Sequence, residues 1–121
     1  MHTAYKGKKL LQTRFYGSVT DLENYATDIS TLAQGINDAG IKLQYILFDD
    51  CYMANVETAY TLRNVTNFLI ASTSEVMAIG MPYTEMWNNL NSQTPSYTSL
   101  VSEFYNFYKN YQYPFGALSA I

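Results

Sequence analysis

The chain has 121 residues, of which 48% are hydrophobic and 14% charged, with a formal net charge of -3. This composition supports the packed core of one domain, or part of one, and excludes a disordered tail. With only seven Lys and Arg residues and an acidic balance, nucleic acid and anionic membrane surfaces are poor candidates as partners. No apolar run reaches the roughly 20 residues of a membrane-spanning helix, and the single cysteine cannot form an internal disulfide.

The first half of the chain predicts a loop, an amphipathic helix and a buried strand. Residues 1–19 mix charged and apolar positions, which indicates loop with at most a short strand. Thr20 and Glu23 have the spacing of a capping box, and apolar residues then recur every three or four positions up to Ile36, so a helix is predicted that ends near Gly40. The following segment, KLQYILF, has a continuous apolar centre, which is typical of a strand covered on both faces of its sheet.

The second half predicts three helices and two strands, in the order helix, strand, helix, helix, strand: Met53–Leu62, NFLIAST, Tyr83–Leu90, Tyr97–Tyr108 and FGALSAI. Alternation of this kind predicts an α/β fold, with a mainly parallel sheet and helices on both faces. Ligands of such folds bind at the carboxyl ends of the strands. The junction after KLQYILF is one of those ends.

Two acids and the only cysteine occupy that junction, as Asp49, Asp50 and Cys51. If strand geometry persists, Asp49 and Cys51 point to one side and Asp50 to the other. The helix predicted to follow would bring N–H groups and a positive dipole end near the sulfur and favour a thiolate, whereas the two acids would oppose it. A reactive thiolate would therefore need a cationic partner, and the one histidine of the chain is His2.

Other chemistries that use a strand–acid–helix junction fail on spacing. A haloacid-dehalogenase site needs Asp-x-Asp, and here Cys51 stands two positions after Asp49. A cysteine-phosphatase loop needs Arg six positions after its cysteine, where this chain has Glu57. One cysteine and one histidine are too few for a soft-metal site. From these residues alone a buried structural cysteine is the commoner outcome, because free cysteine is among the most buried residue types.

The stretch from Tyr45 to Tyr83 resembles the clostripain family of bacterial cysteine peptidases, which are relatives of gingipains and caspases. The family pattern is an apolar strand followed by Asp–small–Cys–x–Met, a Val-Glu pair and a Tyr, then a second strand that runs into Ala-Ser-x-x-Glu, and a Gly-x-Pro-Tyr. The matching positions, in order, are Phe48, Asp49, Cys51, Met53, Val56, Glu57, Tyr60, Ala71, Ser72, Glu75, Gly80, Pro82 and Tyr83.

The resemblance implies a caspase-like α/β fold in which residues 1–121 form the C-terminal part of a peptidase domain. It implies that Cys51 is the nucleophile and that Asp49 lies at the floor of the S1 pocket, where it receives the Lys or Arg side chain of a peptide or protein substrate. A secreted or cell-envelope bacterial protein is the expected setting. No cofactor is expected; calcium is compatible with the family, but no ligand set for it is identified.

Two positions depart from the family pattern. Asp50 stands where the family usually has a small residue, and the His-Gly motif of the family is absent. His2 has the spacing of about 50 residues before Cys51 that caspase-type enzymes use, but Thr3 follows it in place of Gly. The catalytic histidine is therefore either His2 or a residue of upstream sequence. The alternative is a catalytically inactive caspase-like domain that binds peptides or protein partners.

The ends of the pattern predict that the domain is incomplete. It begins with a helix that needs a sheet to cover and ends within the strand FGALSAI. A three-stranded sheet with two apolar faces would leave an open edge, which invites association. The expected partner is an upstream companion chain or a second copy that supplies further strands.

Overall fold

The computed structural model describes residues 27–111 and 118–121, and the backbone of residues 15–16. His2 and the predicted capping box at Thr20 lie outside these residues. The elements in chain order are β1 (Phe15–Tyr16), β2 (Thr27–Asp28), α1 (Ile29–Asp38), β3 (Leu43–Leu47), α2 (Val56–Leu62), β4 (Thr66–Ala71), α3 (Tyr83–Leu90), α4 (Tyr97–Lys109) and β5 (Ser119–Ala120).

The main sheet has the strand order β3-β4-β5, and β1 and β2 form a separate antiparallel pair. Strands β3 and β4 are parallel, with Leu43 opposite Thr66 and Leu47 opposite Ile70. Strand β5 runs antiparallel to β4, so the sheet is mixed. The predicted α/β class, with an incomplete caspase-like fold, is confirmed. The parallel pair is the part that matters for the site, because both of its strands end at the same edge.

Two apolar cores cover the two faces of this sheet. Side chains alternate along β4, so Leu69 packs into one core and Ile70 into the other, and both are buried. The first core joins the sheet to α1 and α2, through Ile29, Phe48, Met53, Leu62, Val65, Leu69 and Ala71. The second joins it to α3 and α4, through Ile70, Met81, Met86, Leu100, Phe104, Tyr108 and Leu118. Each buried side chain of this size contributes about 1.5–3 kcal/mol, so both faces hold the sheet in place.

Two helices begin later than the sequence pattern predicts. Asp28 belongs to β2 and caps α1, because its Oδ1 accepts the Thr31 N–H at 2.8 Å. Likewise Asn55 caps α2 by accepting the Thr58 N–H at 2.9 Å. Met53 is therefore buried in a loop and is not part of the helix. An Asp or Asn residue with an extended backbone can accept a hydrogen bond from an N–H group that has no partner at the start of a helix. This local bond sets where each helix begins, and the apolar periodicity does not.

The predicted helix at Tyr83–Leu90 is confirmed at both ends, and the helix from Tyr97 runs one residue further than predicted, to Lys109. No helix in the described part of the chain combines the length and the apolar character needed to cross a membrane.

Candidate active site

The loop after β3 carries the three residues of the junction, and the loop after β4 holds it in place. Phe48 continues the ladder, with its N–H donating to Ile70 O at 2.9 Å. Tyr52 N–H donates to Ser74 O, and Ala54 N–H donates to Ser72 O, both at 2.9 Å. Tyr52 has φ 58, a left-handed conformation that is uncommon for a residue with a side chain. These bonds turn the chain sharply directly after Cys51.

The sulfur of Cys51 lies against the backbone of Val76. The Val76 N–H donates to Sγ at 3.3 Å, and Sγ lies 3.7 Å from Val76 O. The side chain is half-buried, so the sulfur is oriented by fixed groups without being sealed from solvent. The N–H group on the sulfur was expected from the helix that follows Cys51. It comes instead from the loop after β4, because α2 does not begin until Val56.

The carboxylate of Asp49 is fixed by Tyr83, the first residue of α3, and by Gly80 of the loop that precedes this helix. Tyr83 Oη donates to Asp49 Oδ2 at 2.9 Å, and the Asp49 side chain is exposed. Gly80 approaches so closely that a Cβ atom built on it would stand 2.8 Å from Oδ2. Gly80 also has φ +71, where a side chain would be strained. Only glycine fits both demands, and its carbonyl in turn accepts the Tyr108 Oη–H at 2.6 Å.

The two tyrosines of this cluster hold their protons tightly. Burial raises the pKa of Tyr83 to about 12, with further contributions from its hydrogen bond to Asp49 and from the charge of that carboxylate. Burial also raises the pKa of Tyr108, and the Asp49 and Tyr111 groups add to the effect. Both hydroxyls are therefore donors throughout the neutral range, and the hydroxyl of Tyr83 binds Asp49 as a neutral donor.

The side chain of Asp50 bonds locally, to the backbone of the next residue. Its Oδ1 accepts the backbone N–H of Cys51 at 2.7 Å. Asp49 and Cys51 both contact residues 76–83, whereas Asp50 does not share those contacts. The strand geometry from which a common side was expected does not persist to Cys51, because β3 ends at Leu47. The three consecutive residues thus make three different kinds of contact.

Sequence reasoning did not single out Val76. Its contribution is a backbone N–H, which every residue except proline carries, so no residue type marks it. Gly80 and Tyr83 were noticed as parts of the family pattern, but their contacts with Asp49 depend on the fold. Ser72 is fully buried and its Oγ accepts the Ser74 N–H at 3.1 Å, which shapes the start of this loop.

Two further groups considered in the sequence are a metal site and the catalytic histidine. Within residues 27–111 and 118–121, no group of three or more His, Cys, Asp or Glu side chains could hold a metal ion. His2, the candidate catalytic histidine, lies outside these ranges, so its position relative to Cys51 stays a prediction.

Comparison with known proteins decides the family. The model of the clostripain family of peptidases, C11, matches residues 3–117. The chain belongs to the clostripain family. Comparison with curated proteins gives no match.

Solved structures of the family share this fold. A clostripain from Bacteroides thetaiotaomicron ATCC 29148, in complex with the peptide inhibitor BTN-VLTK-AOMK, is 48% identical with a TM-score of 0.81, over 87% of this chain and 46% of that one. The secreted C11 cysteine protease "iotapain" of the same species is 52% identical with a TM-score of 0.76, over 79% of this chain and 27% of that one. A B. fragilis cysteine protease is 31% identical with a TM-score of 0.67, over 78% of this chain and 37% of that one.

The chain spans less than half the length of each of these clostripain-family relatives. The similarity therefore covers only part of each of these cysteine proteases.

Proposed function

We propose that this chain carries the nucleophile and the S1 acid of a cysteine endopeptidase that cleaves after Arg or Lys. One observation carries the proposal: the Cys51 sulfur and the Asp49 carboxylate, two residues apart in the chain, are both held by residues 76–83, the end of the loop after β4 and the first residue of α3. A nucleophile and an acceptor for a substrate cation then stand side by side at the carboxyl end of β3, where α/β folds place their ligands.

Cys51 acts as the nucleophile in this proposal. Its thiolate attacks the carbonyl carbon of the scissile bond, the C–N bond breaks, and the amine leaves with a proton from an imidazolium. Water then attacks the thioester while the imidazole takes its proton, and the thiolate leaves as the acid product forms. The half-buried sulfur and the N–H bond from Val76 suit this role. The imidazole belongs either to His2 or to a histidine of accompanying sequence.

Asp49 accepts the positive charge of the substrate residue P1, on the amino side of the cleaved bond. Tyr83 binds Oδ2, and the exposed carboxylate retains capacity to accept further hydrogen bonds. Carboxylates bind guanidinium groups in bidentate pairs and ammonium groups as point charges. The peptide VLTK in the inhibitor of the related clostripain ends in lysine beside AOMK, which supports a cationic P1 residue here.

The remaining expectations concern the partners and the location of the protein. Strand β4 is mostly buried while β3 is mostly half-buried, which supports a companion segment or a second copy alongside β3. A secreted or cell-envelope location is supported by the related protease that is described as secreted.

A second candidate is a peptide-binding domain without catalytic activity. One observation favours it: the Asp50 carboxylate occupies the backbone N–H of the proposed nucleophile. Covalent labelling separates the two functions, because a domain that only binds peptides does not form a bond to Cys51.

The test is labelling of the naturally expressed protein with a biotinylated VLTK-type AOMK peptide, followed by mass spectrometry of the tryptic peptides. Cys51 should carry the label in the wild type, Cys51→Ala should abolish it, and a matched peptide that ends in leucine should label slowly. Asp38→Asn, at the exposed end of α1, is the control with one acid removed. If the folded wild type binds the peptide but is not labelled, the peptidase proposal is wrong and the peptide-binding domain is favoured.

A further inference from the structure

A charge-assisted hydrogen bond joins the side chain of Asp50 to the backbone of the next residue. The Cys51 N–H donates to Asp50 Oδ1 at 2.7 Å, in a part-buried position. Bonds of this kind, in which the acceptor is ionised, are short and about twice as strong as neutral ones. The reaction scheme proposed above does not use this contact.

The occupied N–H is the one that the proposed reaction needs. When the Cys51 thiolate attacks a carbonyl carbon, a C–S bond forms and the C=O π pair moves onto the oxygen. In enzymes that transfer an acyl group to a nucleophilic side chain, the backbone N–H of that residue is one of the donors that stabilise this oxyanion. Such a donor is effective only if it is free and aimed at the oxygen when the charge develops.

The carboxylate and the oxyanion cannot use this donor together. Both are anions that need the same N–H, and two like charges held at one site repel each other. We propose that Asp50 attenuates acyl transfer by occupying the Cys51 N–H, so that turnover requires the carboxylate to leave it. This inference rests on the proposed peptidase function.

The attenuating contact is local and can be released by a side-chain rotation. Asp49 is bonded by Tyr83 from α3, across 34 positions of the chain, while the bond of Asp50 spans one position. Rotation about χ1 of Asp50 would break that bond without moving β3 or the loop after β4. The turn at Tyr52, pinned by Ser74 O, keeps the Cys51 backbone in place during this rotation.

The experiment compares two reactions of the same sulfur in the naturally expressed protein. Hydrolysis of a Lys-ending peptide amide forms an oxyanion, whereas alkylation by iodoacetamide displaces iodide at a saturated carbon and forms none. Asp50→Ser removes the carboxylate, and Asp50→Asn keeps its shape without the charge. Asp38→Asn is the control for a general loss of one negative charge. Melting temperatures of all variants check that each one folds.

Asp50→Ser should raise kcat/KM for the peptide amide by about tenfold or more, since removing an oxyanion donor costs 100- to 1000-fold. The iodoacetamide rate should change by less than about threefold, because only the charge near the thiol differs. Asp50→Asn should give an intermediate gain in hydrolysis, because its amide oxygen can still accept the N–H but carries no charge.

Three results would overturn the inference. An equal rise in both rates would mean that Asp50 acts on the thiol charge and not on the oxyanion donor. Unchanged or lower hydrolysis in folded Asp50→Ser and Asp50→Asn would mean that the carboxylate does not obstruct turnover; both results leave the peptidase function standing. Absence of hydrolysis in the wild type and in every variant would overturn the peptidase function, and this inference with it.

Discussion

The loops that follow β3 and β4 leave the same edge of the sheet but do different work. The first, residues 48–55, carries the side chains with reactive or charged groups. The second, residues 72–82, supplies mainly backbone: the carbonyls of Ser72 and Ser74 and the N–H of Val76 hold the first loop in place. The comparison teaches that residue types define one half of this site and backbone conformation the other half.

The largest expected effect comes from removing the key carboxylate of the first loop. Asp49→Ala should lower kcat/KM for Lys and Arg substrates about 100-fold, or roughly 3 kcal/mol, because hydrogen bonds to charged groups contribute up to that amount. Cleavage after apolar residues should fall far less. Steady-state kinetics with matched P1-Lys, P1-Arg and P1-Leu peptides measures both.

Asp49→Asn separates charge from shape in that experiment. It keeps an acceptor for the Tyr83 hydroxyl but removes the negative charge, so it should lose most of the selectivity for cations. Asp38→Asn should leave the kinetics unchanged. If Asp49→Ala lowered the rates for all three P1 residues equally, Asp49 would support the loop and would not select the substrate.

The second loop is tested by adding one methyl group at Gly80. Gly80→Ala places a Cβ 2.8 Å from Asp49 Oδ2 and forces alanine to φ +71, so the carboxylate must shift. The strain should cost about 1–2 kcal/mol of unfolding free energy. The displaced acid should lower kcat/KM for P1-Lys substrates about tenfold. Denaturant unfolding and steady-state kinetics measure the two effects.

Gly40 offers a matched control for this substitution. It has φ +68, but a Cβ there would meet nothing within 4 Å. Gly40→Ala should therefore show a similar loss of stability with unchanged kinetics. Equal kinetics in the two variants would mean that the contact between Gly80 and Asp49 does not position the acid.

The difference between the two loops also decides what the sequence could predict. Apolar segments predicted β3 and β4, and the sequence pattern also predicted α3. These features follow from side chains, whose identity the sequence states directly. The Val76 N–H could not be predicted, because its place beside the sulfur depends on how eleven residues of loop fold against their neighbour.

The missed helix starts had a local signal that competed with a stronger one. Asn55 precedes Thr58 by three positions, which is cap spacing, but the apolar recurrence from Met53 favoured an earlier start. The structure shows that Met53 is buried for packing against the first core and not as part of a helical face. A buried residue just before a helix cap can match the apolar spacing of a helix without being helical. The sequence alone does not distinguish such a residue from a helical one.

A smaller effect is expected from the hydroxyl that fixes Asp49. Tyr83→Phe keeps the ring and removes the bond of 2.9 Å to Oδ2, so the carboxylate gains freedom. The expected loss in kcat/KM for P1-Lys substrates is about threefold to tenfold, which corresponds to the net contribution of one hydrogen bond of about 1 kcal/mol. Tyr105→Phe, on the exposed side of α4, is the control with an equal chemical change. An equal loss in both variants would remove Tyr83 from the site.

The smallest expected effect is a change in the titration of Tyr83. Its pKa lies at about 12, above the ordinary tyrosine value of 10.0, first because of burial and then because of the bond to Asp49 and its charge. A raised pKa means that the folded protein holds this proton more tightly than the unfolded chain does. The associated stability is therefore fully present below pH 10 and is lost as the pH rises toward 12.

The phenolate absorbance at 295 nm isolates this group when the wild-type titration is compared with that of Tyr83→Phe. The same difference measured in an Asp49→Asn background should have its midpoint between pH 10 and 12, because the charge is gone while the burial remains. A midpoint that does not move would mean that the carboxylate and the hydroxyl do not interact in solution. Asp49 would then be held only through the close approach of Gly80 in the second loop, and Tyr83→Phe should leave the selectivity for cations intact.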